Sequence, residues 1–386
     1  MFNTLTRMGA SAAGDDLEIS RSLRFNKSGG DNHYLSRTPS SAGNRRTFTF
    51  SCWVKRGQIG ASEYRSMFAA GQKLSPLDYF LWWNNDQLAF SNYNQTAYNV
   101  RTTRTFRDPS AWYHLVLAVD TTQGTAANRV KIYVNGSQET ALDASSYPSQ
   151  NYDTEINNTT PNLIGFNEWN YMDGYMAEVN FVDGQQLTPS SFGKTNEDTG
   201  QWVPKKPAVT YGTNGFRLQF SDNSGTTATT LGKDTSGNGN NYTPNNFSVT
   251  AGENDDSLTD TPSENFCVLN VIQPTTTQDG TVTNGNLDLA GDDYTLQRAT
   301  WHFGPGGITT GKWMWEVKNT ASSGATQYGM YTGITANFTQ DGGEIASVAD
   351  KSWCSTSAFA YKNYNQTSST EPGAGNQSLG TMTFAL

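Results

Sequence analysis

The side chains that could carry acid–base, nucleophilic or metal chemistry are few and scattered. Cleaving a glycosidic bond needs two carboxylates aimed into one groove as nucleophile and acid, which on a strand calls for a string such as Glu-x-Asp-x-x-Glu; the sequence has none. Glu178 and Glu316 each stand alone within an alternating segment, and Glu253-Asn254-Asp255-Asp256 lies in a turn-rich stretch that reads as a solvated loop. His33, His114 and His302 are far apart with no nucleophile signature beside them; His114, inside Trp112-Tyr113-His114-Leu115, reads as packing or edge polarity rather than as a base. Cys52, Cys267 and Cys354 are odd in number, widely spaced and match no zinc pattern, so neither a disulfide framework nor a thiolate metal site is expected. No catalytic residue is assigned, and the chain is expected not to be an enzyme.

Sugar binding asks for less: an aromatic face to stack on the apolar side of a ring, with amides and carboxylates nearby for its hydroxyls. Trp82, Trp83 and Tyr93, around the turn Asn84-Asn85-Asp86, fit that description. So do Asn167, Trp169, Asn170 and Tyr171 in a second loop. Trp82 and Trp83 are neighbours on a strand and must point to opposite faces, so at least one belongs to a core.

The elements that position these residues are strands. Aromatics make up 12% of the 386 residues, and Gly, Asn, Ser and Thr are abundant, the balance of short strands joined by turns. In Thr47-Phe48-Thr49-Phe50-Ser51-Cys52-Trp53-Val54-Lys55, residues Phe48, Phe50, Cys52 and Val54 share a side, the period-two pattern of a half-buried strand. Tyr79 to Trp83 and Gln87 to Phe90 flank Asn84-Asn85-Asp86 as a hairpin. Further strands are predicted at 112–119, 129–134 with the turn Asn135-Gly136, 162–166 and 174–182, a cadence that indicates a two-sheet sandwich over 22–200. Residues 1–21 are small and polar and read as an arm that orders on a partner. Residues 201–284, with Pro204, Pro207, Pro244, Pro262 and Pro274 and the polar tract 232–241, read as a connector holding a few strands, notably 215–220 and 265–270. A second β domain spans 285–386, with strands at 311–318 and 328–334; it ends on an apparent strand start and is expected to be incomplete there. The string Asn-Tyr-Asn-Gln-Thr occurs at 92–96 and again at 363–367, a recurrence that Asn- and Thr-rich composition alone can produce.

The first sandwich resembles the laminin-G-like, concanavalin A-like jelly roll. The likeness lies in Thr49-Phe50-Ser51-Cys52-Trp53-Val54, Trp112 to Leu117, Lys131-Ile132-Tyr133-Val134-Asn135-Gly136 and Asp173 to Val179, four blocks in that family's order. It implies two curved antiparallel sheets. The second domain resembles a SPRY (B30.2) module through Gly311-Lys312-Trp313-Met314-Trp315-Glu316-Val317 and the strand after it, a match to the front of that module only. The fold class expected is thus all-β, a concanavalin A-like antiparallel sandwich followed by a second, SPRY-like one. Laminin-G-like domains often hold calcium, and Asp31, Asp120 and Asp173 lie in or near loops; oxygen-ligand sites have no readable spacing, so no metal ligand or cofactor is assigned.

The net charge of −9 without a basic block gives no electrostatic grip on nucleic acid. No segment is long and apolar enough to span a bilayer, and Met1 to Asp16 lacks both the basic opening and the apolar run of a secretory signal. The pairing of the two modules is similar to tail-fibre and other virion surface proteins of marine tailed bacteriophages. That resemblance implies a non-enzymatic virion protein assembled in the host cytoplasm, trimeric, docked on other tail proteins through its N-terminal arm, and touching host cell-surface glycan. Two other readings use the same modules: a capsid-decoration or tail-adaptor protein that binds virion subunits, and a polysaccharide depolymerase.

Overall fold

A computed structural model describes residues 16–27, 32–60, 63–73, 76–251, 255–266 and 268–270, the hairpin 281–290, and beyond it only short strands. Two compact units divide the chain: one runs to 272 and takes in 282–288 and 299–301, and the other holds 273–281, 289–298 and 302–386.

The alternation read at 47–55 becomes the central strand of the first unit. In β3 (Thr47–Arg56), Phe48, Phe50, Cys52 and Val54 are all fully buried in the main core. β3 pairs antiparallel with β8 (Trp112–Asp120) on one side and β13 (Gly174–Asp183) on the other. Outward from β8 come β9 (Val130–Val134) and β10 (Ser137–Gln138), joined through Asn135 and Gly136 at φ 47° and 83°, the left-handed pair that a tight two-residue hairpin demands. The far edge of β13 is shared by β1 (Ser22–Phe25), which carries β18 (Ser257–Leu258), and by β16 (Phe216–Leu218).

The opposing sheet runs β11 (Leu142–Ser146), β7 (Asn99–Thr105), β6 (Gln87–Asn92), β5 (Leu77–Trp82), β4 (Arg65–Gly71), β12 (Asn162–Ile164), β2 (Tyr34–Arg37) and β17 (Thr243–Asn245). The two sheets meet through aromatic rings: Phe50 stacks on Phe68 at 4.6 Å, and Phe181 lies 5.8 Å from Phe68 and 5.6 Å from Phe216. Each such ring, fully desolvated, contributes about 1.5–3 kcal/mol. The first unit is an all-β sandwich of two antiparallel sheets.

Two boundaries differ from the sequence reading. Residues 201–284, read as a connector holding a few strands, contribute to the sandwich: β16, inside the strand expected at 215–220, and β17 and β18 complete the edges of both sheets, and Phe216, Leu218, Phe220, Leu231, Tyr242 and Phe247 enter the main core. β17 and β18, three and two residues long, are too short for a period of two to register. The polar tract in this stretch is a turn organised by Asp234, whose carboxylate accepts the amides of Arg217, Ser236 and Asn240 at 2.8–2.9 Å. At the other end, residues 16–21 of the expected arm lie on the sandwich, where buried Ile19 joins Trp53, Trp112 and Tyr175; residues 1–15 are outside the described part.

In the second unit Met314–Asn319 pairs with Gly380–Ala385, and Tyr331–Thr335 pairs with Ser352–Thr356, which in turn pairs with Tyr361–Asn363. These overlap the strands expected at 311–318 and 328–334. Side chains there, His302, and the second Asn-Tyr-Asn-Gln-Thr beyond Asn363 fall outside the described residues.

Candidate functional site

The two outer faces of the sandwich are finished differently. On the β3–β8–β13 sheet, outward Trp53, Trp112 and Tyr175 are buried beneath Leu17, Ile19, Trp202 and Leu258. On the other sheet, Tyr79, Leu81 and Trp83 of the β5 strand and turn point outward, while Phe80 and Trp82 point into the core. Tyr64, Tyr93 and Trp169, which pack on that outward stripe, remain partly exposed.

The two predicted loops converge here. Tyr93 and Trp169 stack face to face with centroids 4.9 Å apart and planes within 9°. Each ring sits on a loop pinned by a buried or partly buried asparagine. Asn92 Oδ1 accepts the amides of Ala97 and Tyr98, both at 2.9 Å, and its Nδ2 donates to Tyr93 O and Thr96 Oγ1. Asn167 Oδ1 accepts the amides of Trp169 at 3.3 Å and Asn170 at 2.8 Å. Asn94, Gln95 and Glu168 all have left-handed backbone, φ 59°, 57° and 70°, a conformation that costs a non-glycine residue free energy and persists where surrounding contacts impose it. The pair is therefore held in place before any ligand arrives. The Lys73 ammonium lies 5.8 Å from the Trp169 ring centroid. Replacing Asn167 with alanine removes both acceptor contacts and is expected to lower stability by about 1–2 kcal/mol; loss of near-UV dichroism from the stacked rings, beside a lowered thermal midpoint, checks it.

The other predicted residues take different places. Trp82 is 1% exposed in the main core against Phe106 and Tyr113 and presents no face to a ligand; alternation with Phe80 puts it inside. Trp83, though outward, is 8% exposed, held between the edge-on ring of Tyr64 and the Arg101 guanidinium 4.7 Å from its centroid. The turn beside them is closed by Asp86, which pairs with Arg56 at 3.0 Å and Arg107 at 2.8 Å. Asn167 is 2% exposed and acts as the loop's pin rather than as a contact. Tyr171 is partly exposed and stacks on Phe166, centroids 4.2 Å apart, with Tyr34 beside both. Sequence reading missed Tyr34, Tyr64, Lys73, Arg101 and Phe166. Only Tyr34 left a signal, alternating with buried Leu35 on β2.

Groups that resemble catalytic parts are occupied otherwise. Ser51 Oγ lies 2.9 Å from His114 Nε2, and Trp202 Nε1 donates to His114 Nδ1 at 3.0 Å. That donor assigns the imidazole proton to Nε2, so the ring donates to Ser51 and has no lone pair to take its proton. Burial pushes the His114 pKa down to about 3; it is a packed, neutral residue. Glu178, left-handed at a bulge in β13, is buried and ion-paired with Arg217; desolvation raises its pKa, and the guanidinium works against that rise. Asp120 has its carboxylate donated to by Thr47, Thr122 and Gln123, which hold it below its usual range against desolvation. Asp173 is buried and desolvation raises its pKa, with Arg65 opposing. Asp31 is outside the described residues. Among the described residues no three His, Cys, Asp or Glu side chains converge as a metal site requires.

Residues 28–191 match the family model of the concanavalin A-like lectin/glucanases superfamily. The sandwich is a concanavalin A-like domain. This domain holds both stacked rings. No curated protein sequence matches the chain. Among solved structures it is similar to a heptameric SAP-like pentraxin from Limulus polyphemus, at 14% identity over 45% of this chain and 80% of that one, TM-score 0.32. It is also similar to domain 4 of an extracellular arabinanase from Geobacillus stearothermophilus solved with arabinotriose, at 22% identity over 38% and 65% of the two chains, TM-score 0.30. A sialidase from Trypanosoma rangeli is similar at 12% identity over 44% and 31%, TM-score 0.28. The chain thus spans less than two thirds of the arabinanase domain and of the sialidase; both of these come from enzymes.

Proposed function

We propose that this chain is a non-enzymatic virion surface protein of a tailed bacteriophage, a tail fibre or fibre-associated adhesin whose concanavalin A-like domain binds host cell-surface glycan. The observation that carries the reading is the Tyr93–Trp169 stack, partly exposed and fixed by two pinned loops on the outer face of a lectin-type sandwich. A rigid aromatic face beside amides is what a pyranose ring needs, since its C–H face stacks while its hydroxyls find polar partners. In this reading residues 1–15 dock on other tail proteins, residues 285–386 form a SPRY-like module, and the assembled fibre is a trimer.

The test is adsorption. The purified chain should bind host cells and compete with phage for them, and Tyr93→Ala/Trp169→Ala should weaken binding at least tenfold, about 1.4 kcal/mol, with the far-ultraviolet dichroism of the sandwich unchanged. Undiminished binding by the folded double variant would remove the stack from the proposal.

A further inference from the structure

The loop that carries Trp169 holds a second aromatic pair. Phe166 and Tyr171 stack with centroids 4.2 Å apart and planes within 13°, and Tyr34 lies 5.2 Å from Phe166 and 6.2 Å from Tyr171. Trp169 and Tyr171 are two residues apart, so their Cα atoms are at most about 7 Å from one another, the scale of neighbouring units in a sugar chain. These four rings and Tyr93 are all partly exposed. The stretch between them is fixed: the Asn167 side chain pins it, Phe166 and Tyr171 form an isolated β-bridge, and Met172 N donates to Gly165 O at 2.8 Å.

A cation marks the first pair. Lys73 is exposed, its ammonium stands over Trp169, and among the described residues it forms no ion pair. Arg101, the other cation stacked on an aromatic ring of this face, is committed to Trp83 and Asp143. In a chain of net charge −9, an unmatched ammonium over a ligand-ready ring favours an anion there.

The geometry points to an acidic glycan chain bound across two subsites: a uronate or sulfated unit stacked on Trp169 with its anion on Lys73, and the adjoining unit stacked on Tyr171. This inference rests on the glycan-binding reading and goes beyond it in naming the ligand's charge and length.

Affinity electrophoresis of the full chain in polygalacturonate, alginate and heparin, against dextran, galactan and arabinan, tests the charge. Retardation is expected by an acidic member and not by the neutral set. Lys73→Gln, an exposed substitution, should lower affinity for that acidic glycan about five- to tenfold and flatten its salt dependence. Titration with oligomers of the retarding glycan should show tighter binding for trimer than for monomer by tenfold or more, and Tyr171→Ala should remove that gain. Preference for neutral glycans, an unchanged Lys73→Gln variant, or equal monomer and trimer affinities would overturn the inference and leave the glycan reading standing. No retardation in any of the six would overturn both.

Discussion

Replacing Asp260 with alanine is expected to destabilise the first unit by about 3–5 kcal/mol, the cost of leaving one partner of a buried ion pair uncompensated. The Lys55 ammonium is fully buried on the outward side of β3 and bonds to Asp260 Oδ2 at 2.8 Å, Asn265 Oδ1 at 2.9 Å and Phe266 O at 2.6 Å. Asp260 Oδ1 also accepts from Trp112 Nε1 at 3.0 Å and from Phe266 N at 3.2 Å. One carboxylate therefore neutralises a buried cation, satisfies an indole and shapes the segment that covers this sheet. Chemical unfolding should show the loss as a lower midpoint with an unchanged slope. Lys55→Met/Asp260→Leu should recover much of it, because two apolar groups leave no charge to compensate. If the single variant loses less than about 1 kcal/mol, the pair does not tie the covering segment down.

That covering explains why the two faces differ, and it was the least legible part of the sequence. The strands that bury residues on both sides were readable, since Phe48, Phe50, Cys52 and Val54 alternate over a length that only a strand satisfies. The turn Asn135-Gly136 was readable because few residue pairs tolerate two successive left-handed positions. Segments 16–19, 193–204 and 257–266 gave no such signal. They adhere through single anchors, such as Ile19, Trp202 and Asp260, each useful only because a distant strand offers it a place. Trp202 lies against Gly136, where a Cβ would stand 2.6 Å from its ring, a fit no local pattern announces.

The candidate site was half legible for the same reason. Residue type alone singled out both loops, and the alternation rule correctly required one of Trp82 and Trp83 to be core. That Trp83 is also shielded depends on Tyr64 and Arg101, and that Tyr93 meets Trp169 depends on how β6 and β12 lie in one sheet. Periodicity places a side chain on a face; it does not say which loop will arch over that face.

Asp78→Asn should be more stable than the parent chain by about 2–4 kcal/mol at pH 8, taking roughly 1.4 kcal/mol per pKa unit, and the advantage should vanish by about pH 4. Asp78 points inward from β5, 1% exposed, and accepts the Glu155 amide at 2.6 Å. Burial, reinforced by the Glu155 charge and opposed by that amide and by Arg45, pushes its pKa up to about 7 from 3.8. The folded state thus holds this proton more tightly than the unfolded one, so its contribution is fully present below pH 4 and is lost as pH rises through 7. His114 runs the other way: lowered to about 3 from 6.5, it contributes above pH 6.5 and loses that contribution as pH falls toward 3. Between pH 4 and 6.5 the two slopes oppose one another, so these groups leave the parent chain nearly insensitive to acid there. The asparagine keeps an acceptor for the Glu155 amide but cannot titrate, so the variant is left with the His114 slope alone and should weaken steadily across that window. Urea unfolding at pH 8, 6 and 4 reads the difference directly. A stability offset that stays constant with pH would mean that Asp78 is not the group that balances His114.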